Sequence, residues 1–254
     1  MINNETLSEF ETISLEEMGK VKLMNRVDTK YVTHINKINE LLSKAKYHYK
    51  IQKIGEEVNM PYYTCYYDTP LTDMFYQHQR GKKTRQKIRH RKYEGSETLP
   101  FLEIKSKNNK GRTKKKRVEM ENGMALIDYD EFITSNSEYD TDGLTPKLEN
   151  HFYRITLVNH EMTERITIDT KLEFHNFISD NTTTLPEIGI IEWKRDGRAE
   201  SSHLKEILRE LRIFEGGFSK YCIGMALTNP DLKQNRIKKR LRNINKIIST
   251  EKNH

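Results

Sequence analysis

An α+β protein built on an antiparallel sheet is the fold class this sequence predicts. Three observations carry that expectation. Eight or nine short segments read as strands, with helical segments between them and at the ends. Several of those strands carry charge at every second position. In KIRHRKYEGSETLPFLEIKSK (87–107), Arg89 and Arg91 stand two apart, and so do Glu103 and Lys105. Successive side chains on a strand point to opposite faces, so this alternation puts each set of charges on one face. Many antiparallel strands in one chain favour a closed barrel or a sandwich. No linker rich in Gly, Pro or Ser divides the chain, so 1–230 reads as one domain followed by a basic tail at 231–254.

The elements follow in order. Residues 1–20 read as a short amphipathic helix with Leu7, Phe10, Ile13 and Leu15 as its apolar contacts. Residues 21–35 read as a strand. NKINELLSKAKYH reads as a helix with Asn36 as N-cap. MPYYTCYYDT is rich in β-forming aromatics. PLTDMFYQHQRG predicts a short helix ended by Gly81. Strands follow at about 83–93, 99–106 and 113–121. ENGMALIDYDEFITS is helical or irregular, and 135–145 is a polar loop. Further strands are expected at about 146–158, 162–169, 171–178 and 186–194. ESSHLKEILRELRIF (200–214) is an amphipathic helix whose stripe is Leu204, Ile207, Leu208 and Leu211. SKYCIGMALT predicts a last helix packed on the body, and the basic tail reads as a solvated helix or a disordered arm.

Composition narrows the function. Of the 254 residues, 35% are hydrophobic and 32% charged, although 13 Tyr and 9 Phe can anchor a core. A polar interior would reconcile a full-size domain with so few apolar residues. The N-terminus has no apolar h-region, and no stretch approaches the about 20 apolar residues that cross a bilayer. With only Cys65 and Cys222, a disulfide framework is not expected and a reducing, cytoplasmic setting is. Zinc-type Cys/His spacing, GxxxxGK[ST] and GxGxxG are all missing from the sequence. The formal net charge of +7 is local. The stretch 233–246 holds seven Lys and Arg and no acid, which leaves the remainder neutral on average. Residues 80–92 and 105–117 each hold eight basic residues and no acid. Such runs repel themselves unless an anionic partner or solvent relieves them.

The strand charges form a repeated pattern. Arg26, Asp28 and Lys30 share one face; so do Arg85, Lys87, Arg89 and Arg91. Glu103 with Lys105 follow, then Lys115 with Arg117, or Lys114 with Lys116 in the other register. TERITID supplies Arg165, and IIEWKRDG supplies Glu192 and Lys194 around the only Trp. A solvated sheet face explains any one strand. Six strands sharing the pattern point instead to an anion-binding interior, because buried like charges are costly without an anion. Arg gives bidentate contacts to phosphate and Lys a point charge. Mg²⁺ or Mn²⁺ is held by one or two carboxylates plus substrate phosphates, which makes Glu192 and Glu103 the candidate metal ligands. The histidines are scattered, and His90 points away from Arg89 and Arg91. Tyr62, Tyr63, Tyr66 and Tyr67 read as barrel packing.

The ordered motifs NRVDTKYV, KIRHRKY, FLEIKSK, ERITIDTK, IIEWK and GFSKYCIG resemble the VTC-type polyphosphate polymerase domain. That domain is the catalytic core of the vacuolar transporter chaperone complex, in the triphosphate tunnel metalloenzyme (CYTH-like) superfamily. The resemblance covers about 8–228. It implies an eight-stranded antiparallel β-barrel tunnel with flanking helices, which moves the γ-phosphate of ATP onto a growing polyphosphate chain. By this resemblance Lys30, Arg89, Arg91, Lys105, Arg165 and Lys220 are catalytic. Arg26, Lys87, Lys115, Arg117 and Lys194 bind substrate phosphate, and Glu192 is the metal ligand. Many superfamily hydrolases begin with an E-x-E-x-K strand, where this chain reads Arg26-x-Asp28-x-Lys30. That departure weakens a two-metal hydrolytic site. The SPX sensor domain and membrane segment of the eukaryotic complex are not expected here. The expected partners are ATP or another triphosphate and polyphosphate, not nucleic acid. A hydrolase of the same fold and a non-catalytic polyphosphate-binding module remain the alternatives.

Overall fold

A computed structural model describes residues 1–19, 21, 26–93, 99–121, 123–197 and 202–250. Parts of five expected elements lie outside them: residue 20 of the first helix, 22–25 of the first strand, 122 of the helical or irregular segment at 121–135, 200–201 of the helix at 200–214, and 251–254 of the tail.

The chain opens with α1 (Asn4–Ser8), β1 (Thr12–Ser14) and α2 (Leu15–Met18), then β2 (Arg26–His34) and α3 (Ile35–Ala45). β3 (Tyr49–Lys53) and β4 (Asn59–Asp68) precede α4 (Asp73–Gln79). Three consecutive strands follow: β5 (Arg85–Tyr93), β6 (Phe101–Lys107) and β7 (Thr113–Glu119). After α5 (Asp130–Asn136) come β8 (Thr145–Asn159), β9 (Glu164–Asn176), β10 (Thr182–Leu185) and β11 (Ile188–Asp196). The chain closes with α6 (His203–Glu210), α7 (Lys220–Thr228) and α8 (Lys238–Thr250).

Eight strands form one curled antiparallel path in the order β2-β11-β9-β8-β4-β5-β6-β7, with β1, β3 and β10 attached at its side. Among the described residues β7 does not pair with β2, so the sheet is a half-barrel rather than a closed barrel. Lys114, Lys115, Lys116 and Arg117 run consecutively along β7, and charge on an edge strand opposes further pairing.

The apolar alternates of the strands pack under helices. Ile155, Leu157, Ile166, Ile168, Ile191 and Trp193 are buried with α3 and α6. A side chain at Gly189 would run into Ile38, so α3 lies close on β11 only because that position is glycine. Gly224 likewise lets α7 approach Phe174 and Leu148. Ile88, Leu102 and Ile104 are buried with Met74, Phe75 and Ile133 of α4 and α5.

Several local expectations change. Residues 1–19 are two short helices split by β1, because β1 pairs in parallel with β3; Leu7, Phe10 and Ile13 are buried while Leu15 is exposed. The N-cap of α3 is His34, whose Nδ1 accepts from the Asn36 backbone N–H. The strands expected at 162–169 and 171–178 are one strand, β9, carried past a register shift at a left-handed Lys171 (φ 49°). Residues 238–250 of the tail form a helix, α8, most of whose residues are exposed, but it is docked on the body: Ile237, just before it, and Ile244 within it are buried in the main core.

Candidate active site

The concave face of the sheet encloses a cavity of about 650 Å³. Among the described residues twelve Lys and Arg line it, against three carboxylates, Asp28, Asp169 and Glu192. Of the residues expected from sequence, Arg26, Lys30, Lys87, Arg89, Arg91, Lys105, Lys115, Arg117, Arg165, Glu192, Lys194 and Lys220 all reach this cavity. The β7 register resolves to Lys115 and Arg117, with Lys114 and Lys116 on the other side. Glu103 does not line the cavity; it is 1% exposed behind it.

Strand pairing decides which charges meet. Lys87, Lys105 and Lys115 stand abreast on β5, β6 and β7. Like charges directly opposite one another destabilise a sheet. In the adjacent row a carboxylate intervenes: Arg89, Glu103 and Arg117 are abreast. Arg89 donates from Nε and Nη2 to Glu103 Oε2 at 3.0 and 2.7 Å, and Lys115 Nζ donates to Oε1 at 3.0 Å. Burial works against the Glu103 carboxylate, but Arg89, Arg91 and Lys115 outweigh it and bring its pKa down to about 2. Glu103 is thus a buried counter-charge that fixes two cavity cations.

Across the cavity, Lys30 faces Glu192 in register. Glu192 accepts from Lys30 Nζ at 2.6 Å and from Lys194 Nζ at 2.7 Å. Burial again opposes its charge, and Lys194 and Lys30 hold the carboxyl well below its ordinary range.

A third node was not expected from sequence. Arg154 forks onto Asp169, Nε to Oδ1 at 2.6 Å and Nη2 to Oδ2 at 2.7 Å, and Lys220 also donates to Asp169. Arg154 lies over Tyr62 and Lys220 over Phe152. Two signals were present: Asp169 shares the alternating face of Arg165 and Thr167, and Arg154 stands between apolar neighbours on its strand. Tyr62 and Tyr66 are buried in the main core, as the packing role expects, and also line the cavity, where Tyr62 lies beneath Arg91. Tyr63 and Tyr67 contact His90 instead, outside the cavity.

Much cationic capacity is unspent. Among the described residues Lys87, Arg91, Lys105, Arg117 and Arg165 make no ion pair with a carboxylate. Arg91 Nε, Arg165 Nε and Thr167 Oγ1 are buried without a hydrogen-bond partner. Lys87 instead donates to Ser219 Oγ at 3.0 Å. Burial is the first cause that lowers the Lys87, Lys194 and Lys220 ammonium groups, each to about 8, with neighbouring cations adding to it. A cavity holding this much positive charge is suited to a polyanion with many oxygens.

No cluster of three or more His, Cys, Asp or Glu is arranged to hold a metal among the described residues. Asp169 is forked by Arg154, and Asp28 is bound by Arg26 through Nε and Nη2 at 2.6 and 3.2 Å. Among the described residues Glu192 is the one cavity carboxylate held only by lysines, which are flexible point charges. No helix among the described residues is long and apolar enough to cross a membrane.

A curled sheet with a cation-lined concave cavity is suited to phosphate chains. The VTC domain model matches residues 25–229, and the chain belongs to that family. Its function is of the polyphosphate and triphosphate tunnel type. Among the solved structures that resemble it are two with the following likeness. One is a candidate adenylate cyclase from Bacillus halodurans, with 13% identity, a TM-score of 0.46, and coverage of 77% of this chain and 96% of that one. The other is the PH1819 protein from Pyrococcus horikoshii OT3, with 17% identity, a TM-score of 0.44, and coverage of 79% and 98%. No curated protein matches the sequence.

Proposed function

We propose that this protein is a polyphosphate polymerase that transfers the γ-phosphate of ATP to the end of a polyphosphate chain. The observation that carries this reading is the row Lys87, Lys105 and Lys115, three ammonium groups abreast on one face of three strands. Lys87 and Lys105 lack a carboxylate, and such a row is relieved by a chain of phosphates lying across it.

The roles divide by position. Arg89 and Lys115, fixed by Glu103, and Lys105 hold the phosphates being transferred. Arg154 and Lys220, fixed by Asp169, hold the facing side of the same chain. Arg26, Arg91, Arg117, Arg165 and Lys194 bind the flanking phosphates. A terminal phosphate oxygen of the acceptor forms a bond to Pγ while the bond from Pγ to the β–γ bridging oxygen breaks, leaving ADP and a chain longer by one phosphate. Positioning and charge neutralisation supply the catalysis. Glu192 would hold Mn²⁺ or Mg²⁺, with Lys30 and Lys194 turning to phosphate oxygens. When bound, the ion neutralises charge on the transferring phosphoryl group. Glu103 is assigned the counter-charge role rather than metal ligation, since both its oxygens are engaged.

The pairing of Asp28 with Arg26 supports a polymerase over a two-metal hydrolase, because it leaves Glu192 as the available carboxylate. The test is product analysis after incubating the pure protein with ATP and Mn²⁺. Long polyphosphate with ADP is expected. Free phosphate without chain growth would assign a hydrolase, and no turnover with tight triphosphate binding would assign a binding module.

A further inference from the structure

Three basic segments outside the cavity come together at one end of the sheet. The first is the α4–β5 loop, with Lys82 and Lys83. The second is the β6–β7 hairpin, with Lys110 and Arg112. The third is the start of α8. Arg85 and Lys107 are directly paired, and Lys107 is paired with Thr113, which lines the cavity. The inward row Arg91, Arg89 and Lys87 therefore continues through Arg85 to this rim. Arg236 Nη1 donates to the Arg80 carbonyl at 3.0 Å, which ties the C-terminal segment to the first loop. Arg240 lies against Gly217, next to the cavity residue Phe218. Burial first, then the field of Lys87, Arg85, Arg240 and Lys107, brings the His78 imidazole down to about 2, so cations from three elements converge here.

The segments 80–85, 107–112 and 233–246 contain no Asp or Glu. The nearest acids in sequence to the three segments are Asp73, Glu103 and Asp231, all outside them. Lys82, Lys83, Lys110 and Arg112 are exposed, and among the described residues none makes an ion pair. The same segments contain no Phe, Tyr or Trp, whereas binding of single-stranded nucleic acid relies on aromatic stacking. The apolar side of α8 faces the core through Ile237 and Ile244, so it has no face free to enter a lipid surface.

We propose that this rim is a docking surface for the part of a polyphosphate chain that extends out of the cavity past Thr113. The proposal rests on the cavity's reading as a phosphate-chain site and adds a second, charge-based segment to it. Chains long enough to leave the cavity gain rim contacts, and tripolyphosphate does not.

The test compares the whole chain with a variant carrying Lys82→Ala, Lys83→Ala, Lys110→Ala and Arg112→Ala together. Tripolyphosphate and long-chain sodium polyphosphate are each titrated at several NaCl concentrations. A second variant, Lys238→Gln with Lys239→Gln and Arg242→Gln, repeats the measurement from α8. The expected result is a loss of about tenfold or more in long-chain affinity, with a salt slope reduced by about 0.7 per contact removed. Tripolyphosphate binding is unchanged. Unchanged long-chain binding in both variants would overturn the proposal. So would single-stranded DNA or anionic vesicles binding the rim more tightly than polyphosphate. If the unaltered protein fails to bind tripolyphosphate, the cavity reading fails, while a selective loss of long-chain binding in the variants still supports the rim.

Discussion

Lys105 on β6 stands directly opposite Lys87 on β5, both on the cavity face, and neither has a carboxylate partner among the described residues. A pair of like charges in register stabilises nothing by itself. Its presence makes sense as a ligand site held at some expense to the empty protein. Lys105→Gln should therefore raise the stability of the ligand-free protein by a few tenths to about 1 kcal/mol. The same change should remove most of the stabilisation conferred by tripolyphosphate. Thermal unfolding with and without tripolyphosphate checks both halves; a variant less stable when empty would show that Lys105 has a structural partner.

Glu192→Gln removes the carboxylate between Lys30 and Lys194. Turnover of ATP should fall to background, while metal-free tripolyphosphate binding persists or tightens because two lysines are released. Turnover that survives the change would remove Glu192 from the proposed metal site.

Asp169→Asn leaves Arg154 and Lys220 buried together without their shared counter-charge. Breaking a buried pair by deleting one partner costs about 3–5 kcal/mol. Urea unfolding should show a loss of that size, partly restored by tripolyphosphate, which supplies negative charge to the same cations. A near-neutral variant would mean that Arg154 and Lys220 find other partners.

The pH dependence has two opposite signs. The ammonium groups of Lys87, Lys194 and Lys220 lie near 8 in the folded protein, below the ordinary lysine value of about 10.4. Between about 8 and 10.4 the unfolded chain binds more protons than the folded one, so these groups make the empty protein more stable as pH rises through that window. Below 8 both states are protonated and the cost of three buried charges is fully present. Phosphate binding runs the other way, since deprotonation removes the charges that bind. Tripolyphosphate affinity should fall from pH 7 to pH 9 while ligand-free stability rises. Parallel changes of the two would contradict the placement of these lysines.

Much of the site was legible because strand alternation is a local property. Arg89, Arg91, Lys105, Arg165, Glu192 and Lys194 could be placed on one face from spacing alone, and all reach the cavity. Arg154 and Asp169 were harder to read. Asp169 lies within a run of buried residues and Arg154 follows the exposed Tyr153, and their meaning comes from pairing with each other across β8 and β9, which is set by strand order and not by local sequence. Glu103 shows the converse: its alternation with Lys105 is plain, yet the Arg89 and Lys115 side chains cover it. β3, β10 and the open β7 edge likewise depend on long-range partners. The docking of α8 through one apolar edge is masked by its basic composition, although its Ile and Leu residues carry the helical spacing.

The cavity is proposed as a binding site for a chain of phosphates. Calorimetric titration of tripolyphosphate into the unaltered protein tests it most directly. Saturable binding at one site per chain is expected, weakening as NaCl rises and lost in Lys105→Glu. Absence of binding heat, or binding that Lys105→Glu leaves intact, would contradict it and return the alternating charges to an ordinary solvated sheet face.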